Sequence, residues 1–215
     1  MVCAARGRPG DEVLMGVRVR LEPLSAAHAD ALFAAQVGDD ALWDYMAIGP
    51  FTDAEAWRRW VDACAGGEDP RYYAVVGERG PAGVVSYLRI EPADGCIEIG
   101  HIWYGPALQR TAAATEAIYL LARHAFDGLG NRRLEWKCDS RNARSRAAAE
   151  RLGFTFEGIF RQHMIVKGRN RDTAWYAMLD REWHTRRAAF ETWLAPENFD
   201  AQGHQRRSLR ALISP

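Results

Sequence analysis

An apolar run, CIEIGHIWY (96–104), passes through a proline-interrupted loop, GPALQ, into a helical stretch that opens on small residues: Gln109-Arg110-Thr111-Ala112-Ala113-Ala114-Thr115-Glu116-Ala117. A strand, a tight loop and then a helix is the reading that fits this order. The first backbone N–H groups of a helix have no acceptor and carry a partial positive charge, and small side chains let a diphosphate approach them closely. The segment therefore has the physical make-up of a nucleotide-cofactor site. An ordinary strand-to-helix crossover explains it equally well at this point.

The 215 residues suit one α/β domain with a substantial core, since no Pro/Ser/Gly-rich linker divides the chain. Lys plus Arg equals Asp plus Glu, 28 of each, so there is no bulk field to attract nucleic acid or an anionic membrane. Cys3, Cys64, Cys96 and Cys138 are scattered with no metal-ligand spacing, and Glu135, Asp139 and Asp172 do not stand at such spacing with a histidine. No metal is expected. Reduced thiols without a signal peptide suggest the cytoplasm, and no apolar run approaches the roughly 20 residues that span a bilayer. Residues 1–15 predict no structure and read as a flexible arm.

VRVRLEP (17–23) alternates as a half-buried strand does, and Ser25 caps a helical run in which Leu32, Phe33, Gln36 and Val37 share a repeat. LWDYMAIGPF (42–51) reads as a loop with short helical turns. Thr52 or Asp53 caps a second helix ending near Cys64. Residues 71–78 and 82–91 form an antiparallel pair, and 96–104 is the next strand. The helix after the small-residue loop runs to about Asp127. RRLEWKCD (132–139) is a strand with Leu134, Trp136 and Cys138 on one face, joined to its predecessor by a parallel crossover. Asn142 opens NARSRAAAERLG, a hairpin turns around Lys167-Gly168-Arg169-Asn170, and residues 184–215 form a C-terminal helix and a fraying tail.

The order β-α-α-β-β-β-α-β-α-β-β, with these motifs, resembles the GNAT superfamily of acyl-CoA-dependent N-acyltransferases over residues 16–183. Gln109, Ala112 and Ala114 stand at the fixed positions of its Q/R-x-x-G-x-G/A phosphate loop, with Ala112 replacing the usual glycine. Asn142-x-x-Ser145 followed by Leu152-Gly153-Phe154 matches the second signature, and EGIFR (157–161) with the late strand DTAWYAML is most like the RimJ/RimL-type branch, whose members acetylate protein N-terminal amines. The resemblance implies an α/β (α+β) fold. Its central twisted sheet of about seven strands is mixed but mostly antiparallel, is flanked by helices, and has a parallel fourth–fifth pair that splays to hold the coenzyme.

It also implies a mechanism and a set of site residues. Acetyl-CoA is the cosubstrate and a primary amine the acceptor, most simply a peptide or protein N-terminal α-amine. An α-amine (pKa about 7.7–8.0) is roughly 10–15% neutral at pH 7, against about 0.04% for lysine, so a base has less to do for the former. Glu98 is the expected base, directly or through water. Ser145 is the expected acid for the departing thiolate, and Asn142 the residue that bonds the pantetheine arm, although both also fit simple helix capping. Backbone amides near Ile102, Trp103 and Tyr104 would polarise the thioester carbonyl at a β-bulge. Gln109, Arg110, Thr111, Ala112, Ala113, Ala114 and Thr115 would receive the phosphates. Trp43, Asp44, Tyr45, His101, His163 and Trp175 are the expected acceptor-binding residues, with Trp103, Phe160 and Tyr176 as further aromatic candidates for the groove.

Other outcomes remain open to the sequence. The acceptor can be a small amine, or the donor a longer acyl-CoA such as succinyl-CoA with Arg161 as its cation. The chain can also be an acyl-CoA-binding module without turnover. Charge around residues 141–146 spreads around a helix, so nucleic acid is not expected. A homodimer through the apolar Trp183 and Trp193 is possible, and these side chains serve equally well to cover the chain's own sheet.

Overall fold

The computed structural model describes residues 4–36 and 40–213; Cys3 and Val37 lie outside the described residues. The elements run β1 (Leu14–Met15), β2 (Arg20–Pro23), α1 (Ala29–Gln36), α2 (Ala54–Cys64), β3 (Arg71–Gly77), β4 (Gly80–Glu91), β5 (Cys96–Tyr104), α3 (Ala112–Arg123), β6 (Arg133–Asp139), α4 (Ala143–Arg151), β7 (Thr155–Val166), β8 (Arg169–Leu179), α5 (Asp180–Leu194) and α6 (Leu209–Ile213). They build one 8-stranded sheet in the order β1-β2-β3-β4-β5-β6-β8-β7. Each neighbouring pair is antiparallel except β5 and β6, which are parallel.

This is the mixed α/β architecture expected, with one strand more. The additional strand is Leu14–Met15, which pairs with Leu21 and Arg20, so the parallel pair is the fifth and sixth strands and not the fourth and fifth. The segment read as an arm is tied down at several points. Ala5 N donates to Pro92 O at 2.9 Å, Arg6 N donates to Leu129 O at 2.7 Å, and the Arg71 guanidinium meets the Asp11 carboxylate. Sequence alone misses this because the segment's contacts are with residues far along the chain.

The sheet separates two cores, and strand alternation assigns side chains to each. Along β3, Tyr73 and Val75 enter the larger core, beneath α3 and α5, whereas Tyr72, Ala74 and Val76 enter a smaller one under α1 and α2. The smaller core is aromatic: Trp43, Trp57 and Trp103 are each at most 2% exposed, Trp57 meets the other two edge-on, and Trp43 lies tilted against Trp103. Trp57 also donates its indole N–H to Ala29 O at 2.8 Å, which fixes α2 to the start of α1.

Trp183 and Trp193 on α5 face inward. Trp183 stacks on Tyr119 and Phe126 and donates to Asp127, and Trp193 packs on Phe199 and donates to Gln205. Of the two roles open to them, covering the chain's own sheet is the one the structure shows. The tail beyond α5 is ordered too: Asn198 donates to Trp193 O and Arg207 O, and Leu209 and Ile213 are buried. No helix among the described residues is long and apolar enough to cross a membrane.

Candidate active site

Parallel pairing of β5 with β6 runs from Cys96↔Arg133 to Ile99↔Trp136 and stops there. Beyond that point β6 continues against β8 as far as Asp139↔Thr173, while β5 continues against β4 as far as Tyr104↔Gly83. A bulge bends β5 at the point of parting: Ser86 faces Gly100 but Val84 faces Trp103, and the extra residue includes His101 at φ 47°. The two strands diverge into a cleft, with the N-terminal ends of α3 and α4 on its larger-core side.

On the α3 side, Thr111 is the N-cap. Its hydroxyl donates to Leu108 O at 2.7 Å and accepts from Ala114 N at 3.1 Å. The amides of Ala112 and Ala113 remain without an acceptor inside the helix. Ala114, expected among the phosphate-binding residues, has its own N–H taken by that cap. The Gln109 amide braces the loop by donating to Tyr104 O at 2.8 Å. Arg110 lies before the helix, not in its first turn, and is exposed in a left-handed conformation at φ 60°. Thr115 is buried and its hydroxyl accepts from Arg151 of α4 at 2.7 Å, so it links the two helices beneath the cleft.

On the β6 side, Asn142 caps α4 by accepting from Ser145 N at 3.0 Å, and the Ser145 hydroxyl accepts from the Trp136 indole at 3.0 Å. Both wall residues are thus held by neighbours along the cleft. Burial pushes the adjacent Cys138 thiol up, away from the reactive thiolate form.

The opposite face of the sheet is polar where the cleft opens. Glu98 is buried at 3% exposure, and its Oε2 accepts from Arg89 at 2.6 Å and from Lys137 at 2.9 Å. Lys137 also meets Glu135 at 2.6 Å and lies 3.8 Å from the centre of the Trp175 ring. The other Glu98 oxygen, Oε1, has no hydrogen-bond partner among the described residues. It faces Gly100, where an added Cβ would sit 3.5 Å away. The absent side chain leaves room beside a carboxylate held in place from behind.

His101 stacks on Tyr72, with its Nδ1 3.1 Å from the Tyr72 hydroxyl and 3.3 Å from Ser86 Oγ. Burial first, then the Arg89 and Arg171 charges, lowers its pKa and favours the neutral ring. His163 bonds Thr173 Oγ1 at 2.9 Å and sits with Phe160 against Trp175.

Two contacts bridge this groove: Tyr45 donates to Arg141 O at 3.3 Å, and Lys167 donates to Trp43 O at 3.0 Å. Of the expected acceptor residues, His163 and Trp175 are in contact, His101 feels the same Arg89 and Arg171 charges as His163, and the Tyr45 hydroxyl reaches Arg141. Asp44 is exposed on the same loop. Trp43 and Trp103 contribute rings to the smaller core, and Tyr176 points to the other side of the sheet, where its hydroxyl accepts from Arg146.

Arg89, Glu135, Lys137 and Arg171 were not anticipated. The signal was present in the alternation of RLEWKCD, whose Glu135 and Lys137 lie opposite the apolar face. Nothing local shows that this face is also enclosed. Among the described residues no cluster of histidine, cysteine, aspartate and glutamate could hold a metal ion.

With this geometry in view, the family model described as "Acetyltransferase (GNAT) domain" matches residues 18–155. A crystal structure of a GCN5-related N-acetyltransferase from Brucella melitensis superposes with a TM-score of 0.96 at 46% identity, covering 98% of this chain and 97% of that one. The "Uncharacterized N-acetyltransferase p20" of Bacillus licheniformis is 29% identical over 80% of this chain and 98% of its own length. The ribosomal-protein-serine acetyltransferase of Escherichia coli is 32% identical over 45% of this chain and 54% of its own. The chain is an N-acetyltransferase of the GNAT family.

Proposed function

We propose that the enzyme transfers an acetyl group from acetyl-CoA to a primary amine, most simply the α-amine at a peptide or protein N-terminus. The carrying observation is the cleft where β5 leaves β6, with free helix-terminal amides on one side of the sheet and Glu98 Oε1 on the other. The Ala112 and Ala113 amides receive the diphosphate, with Thr111 holding the helix start in shape. Ala112 in place of glycine keeps a small side chain at the approach.

The pantetheine arm lies along the cleft past Asn142. The strand-edge amides of the bulge around Ile102–Tyr104 polarise the thioester carbonyl. The amine enters from the Glu98 side and gives its proton to Oε1, directly or through a water. Its nitrogen forms the new bond to the acyl carbon as the C–S bond breaks, and the thiolate takes a proton, for which Ser145 on the wall is the candidate donor. The similarity to a ribosomal-protein-serine acetyltransferase supports a protein acceptor. Free Cys64, Cys96 and Cys138 accord with a reducing compartment such as the cytoplasm.

The test is thiol release from acetyl-CoA against a panel of N-terminal Ser, Ala and Met peptides, polyamines and free amino acids. Release with the peptides supports the reading. Tight coenzyme binding without release for any amine overturns it in favour of a binding module or a different donor. The two bridges over the groove favour a second acceptor class, a small amine that fits beneath them, and selective turnover of small amines would establish that class.

A further inference from the structure

Most cations along the groove face are matched. Arg89 and Lys137 serve Glu98, Lys137 also serves Glu135, and Arg133 meets Glu135 and Glu157. Arg141 meets Asp139 through its backbone amide and two guanidinium nitrogens, and Lys167 is held by a carbonyl. Arg171 is different. It is half-buried on β8, and β8 pairs regularly with β6 through Thr173, so Arg171 shares the groove face with Thr173 and Trp175. Its Nε is shut off from solvent and has no acceptor, and no ion pair or hydrogen bond engages its guanidinium among the described residues.

The Trp175 indole N–H, on the same face of the same strand, is likewise buried without an acceptor. Burial lowers the pKa of both His101 and His163, and the Arg171 charge, together with that of Arg89, adds to the lowering of each. Asp139 also feels that charge, yet its oxygens are already taken by Arg141. A buried guanidinium donor left unmatched is unfavourable and is relieved by an anion that fits its planar fork. The two reactants that enter this groove are an amine and an acyl group, and either most simply carries an anion as a carboxylate.

We propose that Arg171 forms a carboxylate-binding subsite of the acceptor groove. The carboxylate belongs either to an acidic acceptor, with the acid close to the reacting amine, or to the far end of a dicarboxylic acyl group. Arg161, the cation first considered for a longer acyl chain, is exposed on β7; Arg171 takes that place because it lies on the groove face. The inference rests on the acyl-transfer reading for the identity of the reactants, but its test does not require turnover.

Calorimetry on the full chain would compare matched probes: N-acetyl-Ser-Asp-amide with N-acetyl-Ser-Asn-amide in the presence of coenzyme A, and succinyl-CoA with acetyl-CoA. The wild type is expected to bind one carboxylate probe at least roughly tenfold more tightly than its neutral twin. Arg171→Gln should abolish that preference while leaving the neutral probe's affinity unchanged, and Arg171→Lys should keep part of it. A preference on the peptide pair places the carboxylate on the acceptor, and one on the thioester pair places it on the acyl group. No preference in the wild type, or an equal loss for charged and neutral probes in Arg171→Gln, overturns the subsite. Thiol release in the amine panel judges the acyl-transfer reading separately.

Discussion

Glu98 combines two requirements that usually conflict, a fixed position and a free oxygen. Its Oε2 is clamped by Arg89 and Lys137, and Oε1 opens onto the space that Gly100 leaves. Glu98→Gln is expected to lower kcat by about 100-fold or more while coenzyme A still binds. Thiol release paired with calorimetry checks this, and a melting curve shows whether losing the ion pairs has unfolded the protein. Gly100→Ala should also cut turnover, because its Cβ would come within 2.8 Å of Leu88 Cδ2 and intrude beside the carboxylate. Coenzyme affinity should be unaffected, since the phosphate loop is on the other side of the cleft.

His101 supplies a pH signature. Burial lowers its folded pKa below the ordinary value, so the unfolded chain binds more protons as pH falls through about 6.5, and stability declines there. Above that range the contribution is constant. Melting temperatures between pH 7.5 and 5.5 should therefore fall, with a shallower fall in His101→Gln, and equal slopes would refute the assignment.

At the level of elements, two caps shape the cleft. Thr111 and Asn142 each accept from a backbone amide at the start of a helix that borders it. Thr111→Ala or Asn142→Ala should cost about 1 kcal/mol of stability. The substitutions differ in function: loss of Thr111 should raise the Kd for coenzyme A, whereas loss of Asn142 should also slow transfer by loosening Ser145. Differential scanning calorimetry and equilibrium binding separate the two effects. These elements were legible in the sequence because their signals are local. The caps, the alternation in residues 132–139 and the small residues at 112–114 all act within a turn or a strand. Where α3 stops as a regular helix was less legible: it ends at Arg123 and widens into a π turn over His124–Gly128 before the chain reaches β6.

Across the whole molecule, Glu116 shows how distant segments complete the fold. It lies in the first turns of α3, and its carboxylate accepts from the amides of Val17, Arg18 and Val19 at 3.0, 2.6 and 3.0 Å. Glu116→Ala should cost about 2–4 kcal/mol by stranding those donors, read as a lower midpoint in urea. In sequence, Glu116 is one more polar residue in a helix, and nothing nearby reveals its partners almost a hundred positions earlier.

In one dimension the chain already shows most of its elements, their order and the parallel crossover, since periodicity, capping and turn chemistry are short-range, while the small-residue loop and the Asn142-x-x-Ser145 motif carry the resemblance to the family. That resemblance pointed to Asn142 and Ser145 through their motif and to Glu98 through its place on the strand before the loop. Which faces are enclosed was settled by long-range packing. It put Trp43 and Trp103 in a core, matched Glu135 with Lys137, and left Arg171 without a counter-charge. Burial and charge pairing depend on what packs across a strand, and those neighbours come from parts of the chain that only folding brings together.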